Sequence, residues 1–452
     1  MAGCPQTGAG RPTRLIAALL IGLSLGLCVA TLPLLVGEAS GSPRARPAVA
    51  AMLGGVNVTG VSTGVSPAVA DFQIAAARRL HSRVVRAEVR WSALEPLQAG
   101  QIDAHALAFT DRLVRDAAAA HIGVILAVDN TPCWASSAPA QLLRRCVPSM
   151  STQANAWPPI NPADYASVVA YLARRYGTHL AAIEIWNEPD QSNQLYFDGP
   201  NKAQRYATIL RSAYSAIKQA DPNVPVLAGS LVGSNGVFLR ALYAAGIKGY
   251  YDGLAVHFYN LVLGSLRAIH ETQLANGDAK PLWLDEFGWS SCYPRRKLQE
   301  EQACVTPRTQ AANLVDIFRS LRRTPYVAAA VVYNLRNSGQ EDFGLLNGSG
   351  ARKPAFAALS RVLSSPFGNP RPVRLGLRRR GGRVLASGSA PVGDYMQLEA
   401  FIGGVLRYRA LFTLDRFNRY SISLPHVLGT RHLRVRVYQL WAGPRRAAVR
   451  TI

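Results

Sequence analysis

Eight short apolar runs, each followed by a longer stretch of different periodicity, organise the sequence from Met52 to Leu363. The runs occupy 52–58, 84–90, 123–129, 181–187, 224–230, 253–259, 281–287 and 327–334. Short continuous apolar runs of this kind read as strands buried on both faces. Between them, Phe72–Ser82, Ala104–Ala120, Ala163–Tyr176, Lys202–Ala220 and Arg308–Arg323 have amphipathic-helix spacing, and Pro354–Leu363 supplies a closing helix. Regular strand–helix alternation implies a parallel sheet. Eight repeats spread over roughly 315 residues predict an α/β fold, a (β/α)8 TIM barrel. A doubly wound sheet is the rival, but it needs a glycine-rich phosphate loop after the first strand. Gly54-Gly55-Val56-Asn57 lies inside the first run and lacks GxGxxG.

Composition permits a large core, since 49% of the residues are hydrophobic and only 17% are charged. That balance excludes wholesale disorder. The net charge of +23 is unevenly placed. Residues 371–452 hold sixteen Arg, no Lys and three acids (Asp394, Glu399 and Asp415). They also contain alternating runs at Met396–Ile402, Arg407–Leu414, Tyr420–Leu424 and Leu433–Leu440, with turn signals at Gly381-Gly382 and Gly403-Gly404. Such alternation marks half-buried strands. We therefore expect a barrel over 52–368 and a small basic β-sandwich over 369–452. The arginines either keep the sandwich soluble or contact an anionic glycan, a teichoic-type wall polymer or lipid headgroups.

The N-terminus bears on location. Arg11 and Arg14 precede an uncharged apolar run from Leu15 to Val36. The run exceeds the ~7–15 apolar residues of a cleaved signal peptide and matches the ~20 needed to span a bilayer. Residues 1–36 are thus expected to be a signal anchor, with cleavage left open by Pro33 and by Glu38-Ala39-Ser40-Gly41. Residues 37–51 read as a linker. In either case the positive flank stays inside and the rest is exported, held at the outer face of the membrane by residues 15–36 or secreted. Cys28 follows Leu27, where a lipid-attachment site wants a small residue, so it reads as an apolar side chain. Export removes the usual nucleic-acid targets, and no nucleic-acid motif is present, so nucleic acid is not an expected partner. A monomer is expected.

Setting Cys4 and Cys28 aside, four cysteines remain. They form two local pairs, Cys133 with Cys146 and Cys292 with Cys304. Four cysteines allow three pairings. Local closure favours these two disulfides, each pinning one loop. No CxxC or HxxxH spacing supports a zinc site, and no metal or other cofactor is expected.

A barrel places its chemistry at the C-terminal ends of its strands. The fourth run ends Ile185-Trp186-Asn187-Glu188-Pro189, and the seventh ends Trp283-Leu284-Asp285-Glu286-Phe287-Gly288-Trp289. Each brings a glutamate to the rim among aromatic residues. Acids at loop starts commonly cap the next helix. Two glutamates at these two strand ends, one preceded by Asn, instead suit glycosidic-bond cleavage. That reaction needs one carboxyl group to protonate the leaving oxygen and another to attack the anomeric carbon or activate water. Asp285 is expected to face away by strand alternation. Glu184 is expected to lie below the rim, by about 13 Å at ~3.3 Å per residue.

Trp-Asn-Glu-Pro at 186–189 and Glu-Phe-Gly-Trp at 286–289 resemble the acid/base and nucleophile motifs of clan A glycoside hydrolases. Further matches fall in register: Arg86 with Trp91, His257-Phe258-Tyr259, and Asp342-Phe-Gly-Leu-Leu followed by Lys353-Pro-Ala-Phe. Tyr206 through Asp221-Pro222 is similar to family 39, with family 5 a near neighbour. The resemblance covers residues 52–363. It implies a retaining mechanism with Glu188 as general acid/base and Glu286 as nucleophile, and a carbohydrate substrate. Arg86 would hold Glu286 ionised, or else form a core ion pair with Glu88 or Glu184. Tyr259 would bond the nucleophile, His257 a sugar hydroxyl and Asn187 the 2-hydroxyl. Trp91, Trp134, Trp289 and Tyr333 are candidate sugar platforms; Trp186 reads as packing over the barrel top. Asp285 and Tyr333 depart from the family pattern, which has a less polar residue and a Trp at these places. The alternatives are a non-hydrolytic glycan-binding or exopolysaccharide-biosynthesis accessory protein on the same barrel, or a transglycosylase.

Overall fold

The computed structural model describes residues 52–452, except positions 59, 61–65, 149, 192–195, 234, 260–262, 294–303, 339, 340, 366, 367 and 429–431. The expected anchor, the linker, Cys4 and Cys28 lie outside the described residues. Among the described residues no helix is long and apolar enough to cross a membrane.

Strands β1 (Leu53–Asn57), β2 (Val84–Arg90), β3 (Gly123–Asp129), β4 (Leu180–Ile185), β5 (Val226–Leu231), β6 (Gly253–His257), β7 (Leu282–Phe287) and β8 (Val327–Val332) close into a barrel in sequence order. β1 pairs in parallel with both β2 and β8. Helices Ala68–Arg79, Ala104–Ala119, Pro162–Tyr176, Lys202–Ala220, Val237–Ala244, Leu263–Ala275, Pro307–Leu321 and Pro354–Ser364 follow the eight strands in turn. The expected (β/α)8 barrel is therefore present. Three helices start at proline after Asn161, Thr306 or Lys353. Asn161 and Thr306 cap the first turn by accepting from the backbone N–H of Ala163 and Thr309, which satisfies donors the helix itself leaves free.

The barrel interior is filled by Val84, Ile125, Ala182, Leu227, Ala255, Trp283, Ala329 and Val331. Small and large side chains complement each other here. A Cβ at Gly253 would meet Trp283 Nε1 at 2.6 Å, so the glycine gives the indole its room. Above this apolar layer the same inward positions become polar: Asn57, Arg86, Glu184, His257 and Asp285 are all buried. Two tyrosines from the surrounding helices fix the strand ends. Tyr165 Oη donates to Val128 O at 2.6 Å and Tyr206 Oη to Ile185 O at 2.8 Å.

Beyond the barrel lie β9 (Arg374–Arg380), β10 (Arg383–Ser389), β11 (Met396–Ile402), β12 (Val405–Phe412), β13 (Arg419–Ser423), β14 (Arg434–Gln439) and β15 (Ala448–Thr451). They form a three-stranded sheet in the order β13-β10-β9 and a four-stranded sheet in the order β12-β11-β14-β15. Leu375, Val384, Ala386 and Tyr420 from the first sheet pack with Met396, Leu398, Ala400, Val435 and Val437 from the second. This is the sandwich read from the sequence. β9, β10 and β15 were not among the expected strands: β9 has arginine at four of its seven positions, β10 is rich in serine and glycine, and β15 is only four residues long. Arg371 binds the buried carboxylate of Asp316, and Asn418 donates to Asn313 at 2.7 Å, joining sandwich to barrel.

Candidate active site

The chain leaves β4 abruptly. Trp186 and Glu188 adopt φ of 71° and 45°, in the left-handed region. A strand drawn through to residue 187 is therefore too long, and this kink turns Asn187 and Glu188 over the barrel mouth. Strain of this kind is commonly found at functional sites. Trp186 is fully buried and packs on Tyr165 and Phe197, as expected.

β7 is irregular as well. Leu284 pairs with Val256 and Ala330, whereas Glu286 pairs with His257 and Phe287 with Val332. β7 thus carries one extra residue, a β-bulge that re-aims a side chain. Asp285 keeps the inward direction of Trp283, and the bulge turns Glu286 inward too. The expectation that Asp285 faces the other side of the strand is corrected: its Oδ2 lies 3.4 Å from Arg86 Nε.

Arg86 organises the site. Its Nε and Nη2 donate to both oxygens of Glu184 at 2.9 Å and 2.8 Å. Nη1 donates to Asn57 Oδ1 and to Glu286 Oε1, each at 3.1 Å, and Nη2 also donates to Asn187 Oδ1 at 2.8 Å. The two roles weighed for Arg86, partner of the rim glutamate and partner of Glu184, are both occupied. Glu184 is in direct contact with the arginine that holds Glu286, so it belongs to the site. Glu286 Oε2 accepts from Tyr259 Oη at 2.6 Å. His257 Nδ1 lies 2.9 Å from Glu188 Oε1 and 3.1 Å from Glu286 Oε2. One oxygen of each glutamate and this nitrogen all fall within 4.8 Å of one another. Glu188 Oε2 also accepts from Gln191, which holds the carboxyl group in place.

The charges are set by burial and by Arg86. Burial pushes Glu188 up to about 7, against Arg86 and the Gln191 hydrogen bond. Burial also raises Glu286, opposed by His257, Arg86 and the Tyr259 hydroxyl. Burial opposes ionisation of Glu184, yet the charge and hydrogen bonds of Arg86 override it and hold Glu184 at about 2. Asp285 is raised well above the carboxylate range by burial and by neighbouring Glu184. Neither Asp285 oxygen accepts from a donor, which disfavours the charged form, whereas the neutral carboxyl group can donate its own proton to Glu184. Burial lowers His257 to about 4, leaving it neutral.

Two cavities, of about 270 Å³ and 470 Å³, share Glu88, Glu286 and Tyr333 in their walls. The larger also contains Glu188, Asn187, His257 and Tyr259. A pocket at the barrel mouth with paired carboxyl groups of unlike proton affinity is suited to acid–base and nucleophilic chemistry.

The family model described as Cellulase (glycosyl hydrolase family 5) matches residues 49–304, more than half of the chain. The chain belongs to glycosyl hydrolase family 5. The matched span of this family 5 chain includes both Glu188 and Glu286. No curated protein matches it. Among solved structures, it is similar to a family 39 glycoside hydrolase from the gut symbiont Bacteroides cellulosilyticus WH2. The TM-score is 0.54 and the identity 16%, over 82% of this chain and 80% of that one. It is also similar to a family 39 β-xylosidase from Caulobacter crescentus, with TM-score 0.52 and 17% identity over 82% of this chain and 93% of that one. At these identities the likeness is one of fold. The family and fold indicate glycosidase activity and a carbohydrate substrate.

The structure gathers Arg86, Asn187, Glu188, His257, Tyr259, Glu286 and Tyr333 of the family 5 chain around the two cavities. It does not bring the three tryptophans there. Trp91 is fully buried, donates from Nε1 to Glu95 Oε2 at 2.7 Å and packs edge-on against Trp134 and Tyr165. Trp134 donates to Glu95 O and is half-buried against that same core. Trp289 is 2% exposed and packs on Phe287. These indoles satisfy their N–H groups or bury their faces within the protein, so none is a sugar platform at these cavities. The side chain of His257 is fully buried beneath the two glutamates, so its partners are carboxyl groups and not a sugar hydroxyl. Sequence reasoning missed Asn57, Gln191, Tyr196 and Phe343. Asn57 had a signal in its place at the end of the first strand, whereas Tyr196 and Phe343 come from loops without periodicity. The expected disulfides Cys133–Cys146 and Cys292–Cys304 are both present.

Proposed function

We propose that this chain is an exported retaining glycoside hydrolase that cleaves O-glycosidic bonds of a poly- or oligosaccharide by double displacement. The observation that carries the reading is the approach of Glu188 and Glu286, of which one oxygen each lies within 4.8 Å of the other, both against His257 Nδ1. Retaining enzymes hold their carboxyl groups ~5–5.5 Å apart, whereas inverting ones need ~6.5–9.5 Å to admit a water. Glu286 attacks the anomeric carbon while Glu188 gives its proton to the leaving oxygen. Glu188 then takes a proton from water, which displaces Glu286 from the anomeric carbon. Arg86 and Tyr259 each bind one oxygen of Glu286, fixing the attacking carboxylate and favouring its charged form. Asn187 Oδ1 accepts from Arg86 and from Ser230 Oγ. Its amide nitrogen is thereby left to donate to the 2-hydroxyl of the sugar.

Export is supported by the apolar run Leu15–Val36 behind Arg11 and Arg14, and by two disulfides, which persist in oxidising compartments. The test of function is Glu286→Gln assayed on β-linked aryl glycosides and bacterial exopolysaccharides. The variant loses turnover while keeping its fold. Near-normal hydrolysis by that variant would sink the assignment, and sugar binding without turnover by the unmodified chain would mark it as a binding protein.

A further inference from the structure

The three-stranded sheet of the sandwich has an outer face of one charge. Leu375, Val384, Ala386 and Tyr420 point to the core, so alternation sends Arg374, Gly376, Arg378 and Arg380 of β9 outward, with Arg383, Leu385, Ser387 and Ser389 of β10 and Arg419, Ser421 and Ser423 of β13. The register aligns Arg374 with Ser389 and Arg419, Gly376 with Ser387 and Ser421, Arg378 with Leu385 and Ser423, and Arg380 with Arg383. All five arginines are exposed, and the face contains no acidic residue. The ion pairs that sandwich residues make among the described residues use Arg371, Arg409 and Arg436 instead.

Such a face is costly for the free protein. Arg380 and Arg383 stand directly opposite each other, and like charges so placed repel. Solubility alone is served by mixed signs. The other sheet follows that pattern, with Glu399 between Arg409 and Arg436. An unbalanced array of arginines is rational where the counter-charge arrives from outside.

We propose that this face binds an acidic polysaccharide, with carboxylates of its uronate units held by Arg374, Arg378, Arg380, Arg383 and Arg419. The guanidinium fork matches a carboxylate in two parallel hydrogen bonds, and residues 371–452 use arginine to the exclusion of lysine. Alternate residues of a strand stand about 7 Å apart, so the arginines form a ladder along the sheet instead of a single-ion pocket. The serines between them offer hydroxyl partners for sugar hydroxyls. The strands of the face carry one large outward apolar side chain, the half-buried Leu385. Phe417, just before β13, is exposed but packs edge-on against Tyr293 and under the Arg419 guanidinium, which leaves no apolar cluster to insert among lipids. The choice of a sugar polymer over other polyanions rests on the glycosidase reading above. A second, non-catalytic site would keep the chain on its polymer between cuts.

The test is binding by the full chain, and it does not depend on turnover. Polygalacturonate, a neutral xylan, phosphatidylglycerol vesicles and duplex DNA serve as probes, each at about 0.05 M and 0.5 M salt. The chain binds polygalacturonate in preference to the other three, and binding weakens at the higher salt. An Arg378→Ser/Arg383→Ser/Arg419→Ser variant, with unchanged melting temperature, loses about tenfold or more in affinity. Equal binding by that variant overturns the proposal, as does preference for xylan, for vesicles or for DNA. Loss of hydrolysis in every assay would refute the catalytic reading and leave these binding outcomes as they stand.

Discussion

Asp285 and Glu286 are consecutive in β7, and both carboxyl groups face the guanidinium of Arg86, at 3.4 Å and 3.1 Å. A regular strand would send them to opposite faces, and the bulge at this point brings them together. With Glu184 they place three carboxyl groups around one arginine. Three buried negative charges against one positive charge would be prohibitive, so Asp285 is the one that stays neutral.

Asparagine at 285 keeps a neutral side chain of the same shape. The Asp285→Asn variant should therefore retain kcat/KM within about threefold, less than 1 kcal/mol, with an unshifted pH–rate profile. Glu184→Gln is different, because it removes the carboxylate that binds Arg86 through two hydrogen bonds. Breaking a buried pair from one side costs about 3–5 kcal/mol, which urea denaturation would read directly. An Asp285→Asn profile displaced toward acid would mean that Asp285 is ionised.

The pH dependence follows from Glu188, which burial lifts to about 7. A general acid works only while protonated, so kcat/KM should fall as pH rises through about 7. Glu286 must be ionised, and its raised proton affinity sets the fall on the acid side. The same shift affects stability. A carboxyl group whose folded value lies above its unfolded one destabilises the fold once pH rises between the two values and beyond. Glu188→Gln removes that cost. Thermal denaturation should find the variant more stable than the parent at pH 8, by roughly 1–3 kcal/mol, and no more stable at pH 4.

Aromatic residues near the site separate by burial. Trp91→Phe should lower the melting temperature, since Glu95 loses its indole donor, and leave KM unchanged. Tyr333 lines both cavities and packs edge-on against Tyr259. Tyr333→Ala should raise KM roughly two- to tenfold. Steady-state kinetics on one aryl glycoside would distinguish the two, and a raised KM for Trp91→Phe would return that indole to the binding surface.

The barrel was legible because its strands are buried on both sides and its helices are amphipathic, so two periodicities alternate along the chain. The glutamates were legible because a barrel confines chemistry to strand ends. What could not be read was geometry that breaks period. The bulge at Asp285–Glu286 and the left-handed turns at Trp186 and Glu188 leave no trace in a hydrophobic pattern. For the same reason Asp285 was sent to the wrong face and Glu184 was taken as remote from the site. The tryptophans were misplaced because residue type says nothing about whether an indole N–H finds an internal partner, as Trp91 and Trp134 both do with Glu95. Arginine-rich β9 was missed because its inward positions are only Leu375, Leu377 and Arg379.

The central claim is that Glu286 forms a covalent bond to the sugar. Activated 2-deoxy-2-fluoro glycosides slow both displacement steps and let such an intermediate accumulate. Mass spectrometry of the chain after incubation with a panel of these compounds should find one sugar added, on the peptide that contains Glu286. Attachment at a different residue, or turnover that releases a product of inverted anomeric configuration with no adduct, would contradict the account.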